Sequence, residues 1–131
     1  MIFIDSNIPM YLIGASHPNK EAARAALERI ITKGERMVTS AEVLQEILHR
    51  YHALKRPDAI QPALDALLGV VDEVFPIETA DVLGARDVMM GMAKLSSRDA
   101  LHVAVMKRRG VTRVLSFDAG FDAVAWVERI A

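Results

Sequence analysis

The sequence predicts an α/β fold, a three-layer α/β/α sandwich around a central, mainly parallel sheet of four or five strands. Three observations lead there. Short apolar runs alternate with stretches of helical periodicity from one end of the chain to the other. No repeat, low-complexity segment or Pro/Gly/Ser-rich linker interrupts the alternation, so residues 1–131 read as one domain. Strands separated by helices also require right-handed crossovers, which lay a parallel sheet between helices on both faces.

The elements follow in order. Ile2-Phe3-Ile4 form a first strand that stops at Asp5. Ala23, Leu27, Ile30 and Ile31 make a helical stripe, and Gly34 ends it. Met37 and Val38 start a second strand. Thr39 or Ser40 then caps the clearest amphipathic helix, which carries Val43, Leu44, Ile47, Leu48 and Tyr51 at helical spacing. A further helix is predicted by Ile60, Ala63, Leu64, Leu67, Leu68 and Val71, with Pro62 tolerated only in its first turn. Val74 to Ile77 read as a third strand that Pro76 confines to an edge or a strand end, and residues 79–93 read as helix. Ser96 to Arg109 form the next helix, with Ser96 as N-cap, basic residues in the last turn and Gly110 beyond it. Val114 and Leu115 make a fourth strand, and the Trp126–Ile130 alternation predicts a short fifth at an edge.

Composition narrows the function classes. A chain of 131 residues can bury about two-thirds of its unfolded surface and needs no staples. The absence of cysteine excludes a disulfide framework and a thiolate metal site, and makes a reducing cytoplasm the expected home. Hydrophobic residues are 52% of the chain, yet no run approaches the roughly eighteen uninterrupted apolar residues of a membrane span. The apolar excess therefore belongs to a core or an interface, and no membrane association is expected. The N-terminus lacks the basic region and cleavage site of a secretory signal. A net charge of -1, from 16 basic and 17 acidic residues, argues against a broad basic surface for nucleic acid. Local clusters remain at Arg50/Lys55/Arg56 and at Lys107/Arg108/Arg109/Arg113, the second of which also suits the negative end of a helix.

In a parallel α/β sheet, function collects at the carboxyl ends of the strands. Asp5 follows the first strand, Asp118 follows the fourth after Ser116-Phe117, and Asp99 lies in the first turn of the helix that feeds the fourth. Close carboxylates are tolerable only with compensating positive charge, and hard oxygen ligands without cysteine favour Mg²⁺ or Mn²⁺. Each acid also has a purely structural reading. Asp99 suits a capping box with Ser96, Asp118 a turn before Ala119-Gly120, and Asp5 a helix cap.

Taken in order, the segments around these acids resemble a known family. Ile2-Phe3-Ile4 leading into Asp5-Ser6-Asn7, then Ser40-Ala41-Glu42-Val43-Leu44-Gln45-Glu46, then Ser97-Arg98-Asp99-Ala100-Leu101-His102, then Leu115-Ser116-Phe117-Asp118-Ala119-Gly120-Phe121-Asp122 are similar to the PIN domain, specifically the VapC-type toxins of toxin–antitoxin pairs. The resemblance runs the whole length. It implies a PIN-like sandwich and an endoribonuclease whose catalytic acids are Asp5, Glu46, Asp99 and Asp118. Asp5, Asp99 and Asp118 would bind Mg²⁺ or Mn²⁺, which activates water against an RNA phosphodiester. Asp122 would assist, while Ser116 and Asn7 match polar positions that the family usually keeps near the site. The implied partners are a single-stranded or loop RNA, a cognate antitoxin that covers the site, and a second copy in a homodimer.

Glu42 and Glu46 lie one turn apart and periodicity turns both to solvent, where Glu46 also suits a pair with Arg50. The family motif, which places its acid just before Ile47-Leu48, selects Glu46. His49 and His52 lack a third nitrogen or sulfur ligand for zinc. His102 reads as a satisfied helix histidine, Met89, Met90 and Met92 as core or subunit contact, and Trp126 as core. The rival readings are a non-catalytic doubly wound module whose acids are caps and turns, and a DNA nuclease of the same carboxylate chemistry. A receiver-like module would need a lysine after a late strand, and the last lysine here, Lys107, is on a helix.

Overall fold

The computed structural model describes residues 1–130. Five strands, β1 (Ile2–Ile4), β2 (Met37–Ser40), β3 (Glu73–Phe75), β4 (Arg113–Leu115) and β5 (Glu128–Ile130), form one wholly parallel sheet in the order β3-β2-β1-β4-β5. Six helices connect them: α1 (Asn7–Ile13), α2 (Pro18–Thr32), α3 (Ala41–Ala53), α4 (Ile60–Leu68), α5 (Thr79–Gly91) and α6 (Ser97–Arg109). Short 3₁₀ turns occupy Pro57–Ala59 and Ala119–Ala123. Among the described residues no helix is long and apolar enough to cross a membrane.

β1 is central and all three of its side chains are fully buried, which is why it reads as an unbroken apolar run instead of an alternation. The chain steps from β1 through β2 to β3, then crosses back past β1 to β4 and β5. Right-handed crossovers in these two directions place α1, α2 and α4 on one face and α5 and α6 on the other, while α3 reaches α6 at the carboxyl edge. The packing agrees, since α1 rests on α2 and α4 while α5 rests on α6. The predicted sandwich and the fifth strand are thus present.

Local chemistry fixes the boundaries. Ser40 is the cap of α3, its hydroxyl accepting from Val43 N at 3.4 Å, while Thr39 Oγ1 donates instead to the Ile4 carbonyl at 2.8 Å and ties β2 to β1. Gly34 and Gly110 end α2 and α6 at φ +66° and +70°, left-handed values that a β-carbon would strain. Pro62 lies in the first turn of α4, and Pro76 falls just beyond β3, an edge strand. α1 is a separate short helix that apolar periodicity does not announce, because seven residues give it only two turns.

Some sequence expectations are corrected. Ile31, Leu48 and Leu68 are exposed, since the buried stripe of each helix is narrower than its apolar one. Met89 and Met90 lie on the surface of α5, so the core reading fails for them, and Trp126 is 39% exposed ahead of β5. The second basic cluster is largely committed to ion pairs. Arg108 Nε donates to Asp81 Oδ1 at 2.6 Å and its other end lies 2.9 Å from Glu78, Arg109 stacks over Phe75 at 4.8 Å, and Arg113 pairs with Glu35 at 2.9 Å. Asp81 is only 1% exposed and completes a capping box with Glu78 at the start of α5.

Arg108→Met preserves much of the packing but strips the buried Asp81 carboxylate of its guanidinium partner. Urea unfolding is expected to show a loss of about 2–3 kcal/mol. Arg56→Met, which breaks only the exposed pair with Asp58, is expected to stay within about 0.5 kcal/mol of wild type.

Candidate active site

The reversal of strand order falls between β1 and β4, where a parallel sheet opens a crevice at its carboxyl edge. Ile4 pairs with Leu115 in register, so the next residues of both strands emerge side by side. Asp5 N donates to the Leu115 carbonyl at 3.1 Å, and Ser116 Oγ donates to Asp5 Oδ2 at 2.6 Å. The other oxygen, Oδ1, accepts from Ser6 N at 2.7 Å. Asn7 joins the two loops, its Nδ2 lying 3.2 Å from Ser116 Oγ and its Oδ1 accepting from Phe117 N at 3.3 Å. Ser116 Oγ also accepts from Asp118 N at 2.9 Å. Ser116 and Asn7, singled out in the sequence, are therefore the connectors that position Asp5 and Asp118.

Glu46 comes from α3 and is 8% exposed, its carboxylate accepting a hydrogen bond from the Ser6 hydroxyl. The solvent-facing reading of Glu46 is thereby corrected. Periodicity locates a face relative to the helix's own apolar stripe, whereas α3 is also covered along its flank by the loop after β1. Asp99 N donates to Ser96 Oγ at 3.1 Å, but the Asp99 carboxylate makes no return bond to the Ser96 backbone and faces the crevice, so the capping box is only half formed. Asp118 makes its turn through Oδ1, which accepts from Gly120 N at 2.8 Å. Gly120 keeps this corner open, since a β-carbon there would lie 3.0 Å from Asp118 Oδ1 and 3.5 Å from Asp99 Oδ2. Asp5, Glu46, Asp99 and Asp118 all line one cavity of about 410 Å³, with Arg50 and Arg98 in its wall.

Behind the acids lies His102. Its side chain is fully buried against Phe3, and its Nε2 is 3.9 Å from Glu46 Oε1 and 4.0 Å from Asp5 Oδ1. Among the described residues neither ring nitrogen has a hydrogen-bond partner, which corrects the reading of His102 as a satisfied helix histidine. It sits among two carboxylates that spacing along α6 alone does not reveal. Burial alone would lower its pKa, but Glu46 and Asp5 outweigh that and raise it. Glu46 in turn is held down at about 2, because His102 and the Ser6 hydroxyl overcome the effect of burial. Asp99 behaves oppositely: burial, then the charges of Asp118 and Asp5, push it up to about 6.

One sequence candidate falls outside this group. Asp122 is claimed by Arg129, which donates to both of its oxygens at 2.9 and 3.0 Å, and it does not line the acidic cavity. His49 and His52 are exposed and belong to no ligand cluster among the described residues. The donor set fits a divalent cation. Asp5, Glu46 and His102 offer three ligand atoms within 4.8 Å of one another, and Asp99 and Asp118 add oxygens across the cavity.

The sequence profile of the PIN domain matches residues 2–127. Ribonuclease VapC13 of Mycobacterium tuberculosis is 60% identical over 131 residues, spanning 100% of both chains. The crystal structure of M. tuberculosis VapC20, a sarcin-ricin loop cleaving toxin, has a TM-score of 0.79 at 24% identity and covers 98% of each chain. VapBC2 from Rickettsia felis, solved bound to a DNA fragment from its promoter, has a TM-score of 0.75 at 16% identity, with 99% of this chain and 98% of that one covered.

The folded-state pKa of Asp99 is raised from 3.8 to about 6, so the folded protein holds the extra proton and stability is lost as pH rises through that window. In EDTA, Asp99→Asn should match wild type in thermal midpoint near pH 4 and exceed it increasingly up to about pH 7. A difference that stays constant across this range would contradict the assignment.

Proposed function

Because the chain belongs to the PIN domain family and, through 60% identity to VapC13 over its full length, groups with the VapC ribonucleases, we propose that it is a divalent-metal-dependent endoribonuclease. One observation carries this reading: acids from four separate segments, after β1, in α3, in α6 and after β4, share one cavity at the switch point of the sheet. Caps and turns alone do not require such convergence, and this sets the nuclease above a non-catalytic module.

Asp5, Glu46, Asp99 and Asp118 are the catalytic acids, and Asp5, Asp99 and Asp118 hold Mg²⁺ or Mn²⁺. Such an ion, when bound, would lower the pKa of a water and offset charge on the phosphate. Ser116, Ser6 and Asn7 hold the carboxylates in fixed rotamers, and Arg50 on the rim is placed to take a phosphate oxygen of the RNA. The water oxygen bonds to phosphorus, the P–O bond to one ribose oxygen breaks, and that oxygen leaves as a hydroxyl with a proton equivalent to the one the water gives up, so no covalent nucleophile is needed. By analogy with the toxin–antitoxin relatives, a cognate antitoxin restrains the activity in the cytoplasm. Val82, Leu83, Met89 and Met90, exposed on α5, offer an apolar surface for a homodimer.

Asp5→Asn and Asp99→Asn are each expected to reduce cleavage of RNA in Mn²⁺ by more than about 10–100-fold, the range seen for losing an outer-shell metal partner, while the circular dichroism stays unchanged. Millimolar Mn²⁺ should raise the thermal midpoint of wild type by about 5 °C at ten times the dissociation constant, and not that of Asp99→Asn. Full cleavage by either variant would remove that residue from the site.

A further inference from the structure

A second cavity, of about 560 Å³, opens beside the acidic one and shares Asn7, Arg50 and Asp118 with it. It lies between α1, the turn into α2, the end of α3 and the loop after β4. The carboxylate chemistry makes no use of it, yet its volume falls within the roughly 300–1,000 Å³ of small-molecule sites.

Its walls are aromatic. Tyr11 packs on His17 with ring centroids 5.0 Å apart and meets Phe117 edge-on at 5.4 Å. These rings are partly or fully accessible, and that of His17 is held in place because its Nδ1 caps α2 by accepting from Asn19 N at 3.0 Å. Tyr51, largely buried, also lines the cavity, and among the described residues neither the Tyr11 nor the Tyr51 hydroxyl makes a hydrogen bond. Arg50 stands on the rim common to both cavities, near enough to Glu46 to lower its pKa but in no ion pair among the described residues. That contrasts with Arg108 and Arg113, whose guanidiniums are committed to carboxylates.

We propose that this cavity receives a nucleobase of a single-stranded RNA, the base belonging to a nucleotide next to the phosphate held at the acids. The inference rests on the ribonuclease reading above. A splayed base presents a π-face to Tyr11, His17 and Phe117, and its polar edge meets the free tyrosine hydroxyls. The backbone continues past Arg50, which contacts phosphate on its way to Asp5 and Asp99. An apolar anchor from a protein partner would fill the same volume, but would leave the hydroxyls and Arg50 unused. A stacking pocket also gives a chain of net charge -1 a local means of holding RNA without a basic surface.

The test separates binding from cleavage. In EDTA, fluorescence anisotropy compares a labelled, uncleavable 2′-O-methyl RNA pool of random sequence with an abasic strand of equal length. Wild type should prefer the base-bearing strand by about 5–100-fold, as expected for stacking one base. Tyr11→Leu and Phe117→Leu, checked by thermal midpoint to be folded, should each shrink that preference and leave abasic binding unchanged, whereas Arg50→Gln should weaken both strands alike. A preference that survives both aromatic variants, or no preference in wild type, overturns the proposal. So does a result in which the variants lose only a protein partner. Cleavage in Mn²⁺ is scored on the same preparations, so the expected binding pattern without cleavage would support the pocket while removing the ribonuclease reading.

Discussion

Electrostatic repulsion within one small cavity is the constraint around which this molecule is arranged. Four carboxylates line a space of about 410 Å³, two of them on residues less than a tenth exposed, where water screens poorly. The fold supports them with directed donors instead of a full set of ion pairs. The Ser116 hydroxyl and Ser6 N fix Asp5, the Ser6 hydroxyl fixes Glu46, and Gly120 N fixes Asp118. Asp99 receives least, and burial, then the charges of Asp118 and Asp5, raise its pKa to about 6.

That arrangement depends on backbone register. Because β1 and β4 pair in parallel with Ile4 opposite Leu115, the loops that leave them start level and adjacent, and Asn7 and Ser116 can bond across a sequence gap of 109 residues. The rest of the fold serves this edge. The fully buried β1 anchors the sheet, Gly34 and Gly110 turn two helices back toward it, and the Arg108–Asp81 pair holds α6 to α5 on the far face. Arg108, Arg109 and Arg113 of the Lys107–Arg113 segment, basic in sequence, lie in such pairs. Arg50, outside these pairs, stands where both cavities meet.

Much of this was legible in the sequence and for identifiable reasons. The apolar runs and helical stripes specified strands and helices because burial imposes its period on the residues, and Pro76 and the Trp126–Ile130 alternation marked β3 and β5 as edge strands. Asp5, Asp99 and Asp118 could be singled out because each follows or feeds a strand. Less legible was α1, too short for a period, and so were the exposed flanks at Ile31, Leu48 and Leu68, since hydrophobicity says what can be buried and not what is. Asp122 entered as an assisting acid through the family resemblance, and the structure pairs it with Arg129, seven residues away.

By itself, then, the sequence determined the alternation of elements, their caps and stops, and the ordered set of acids at strand ends, because these are local or periodic properties that neighbouring residues decide. Only the tertiary structure decided that Glu46 turns inward, that His102 stands between Glu46 and Asp5 with no hydrogen bond, and that Tyr11, His17 and Phe117 line one cavity beside the acids. Each of these depends on groups brought together across long stretches of chain, and no spacing along a single helix or strand encodes which partner will arrive there.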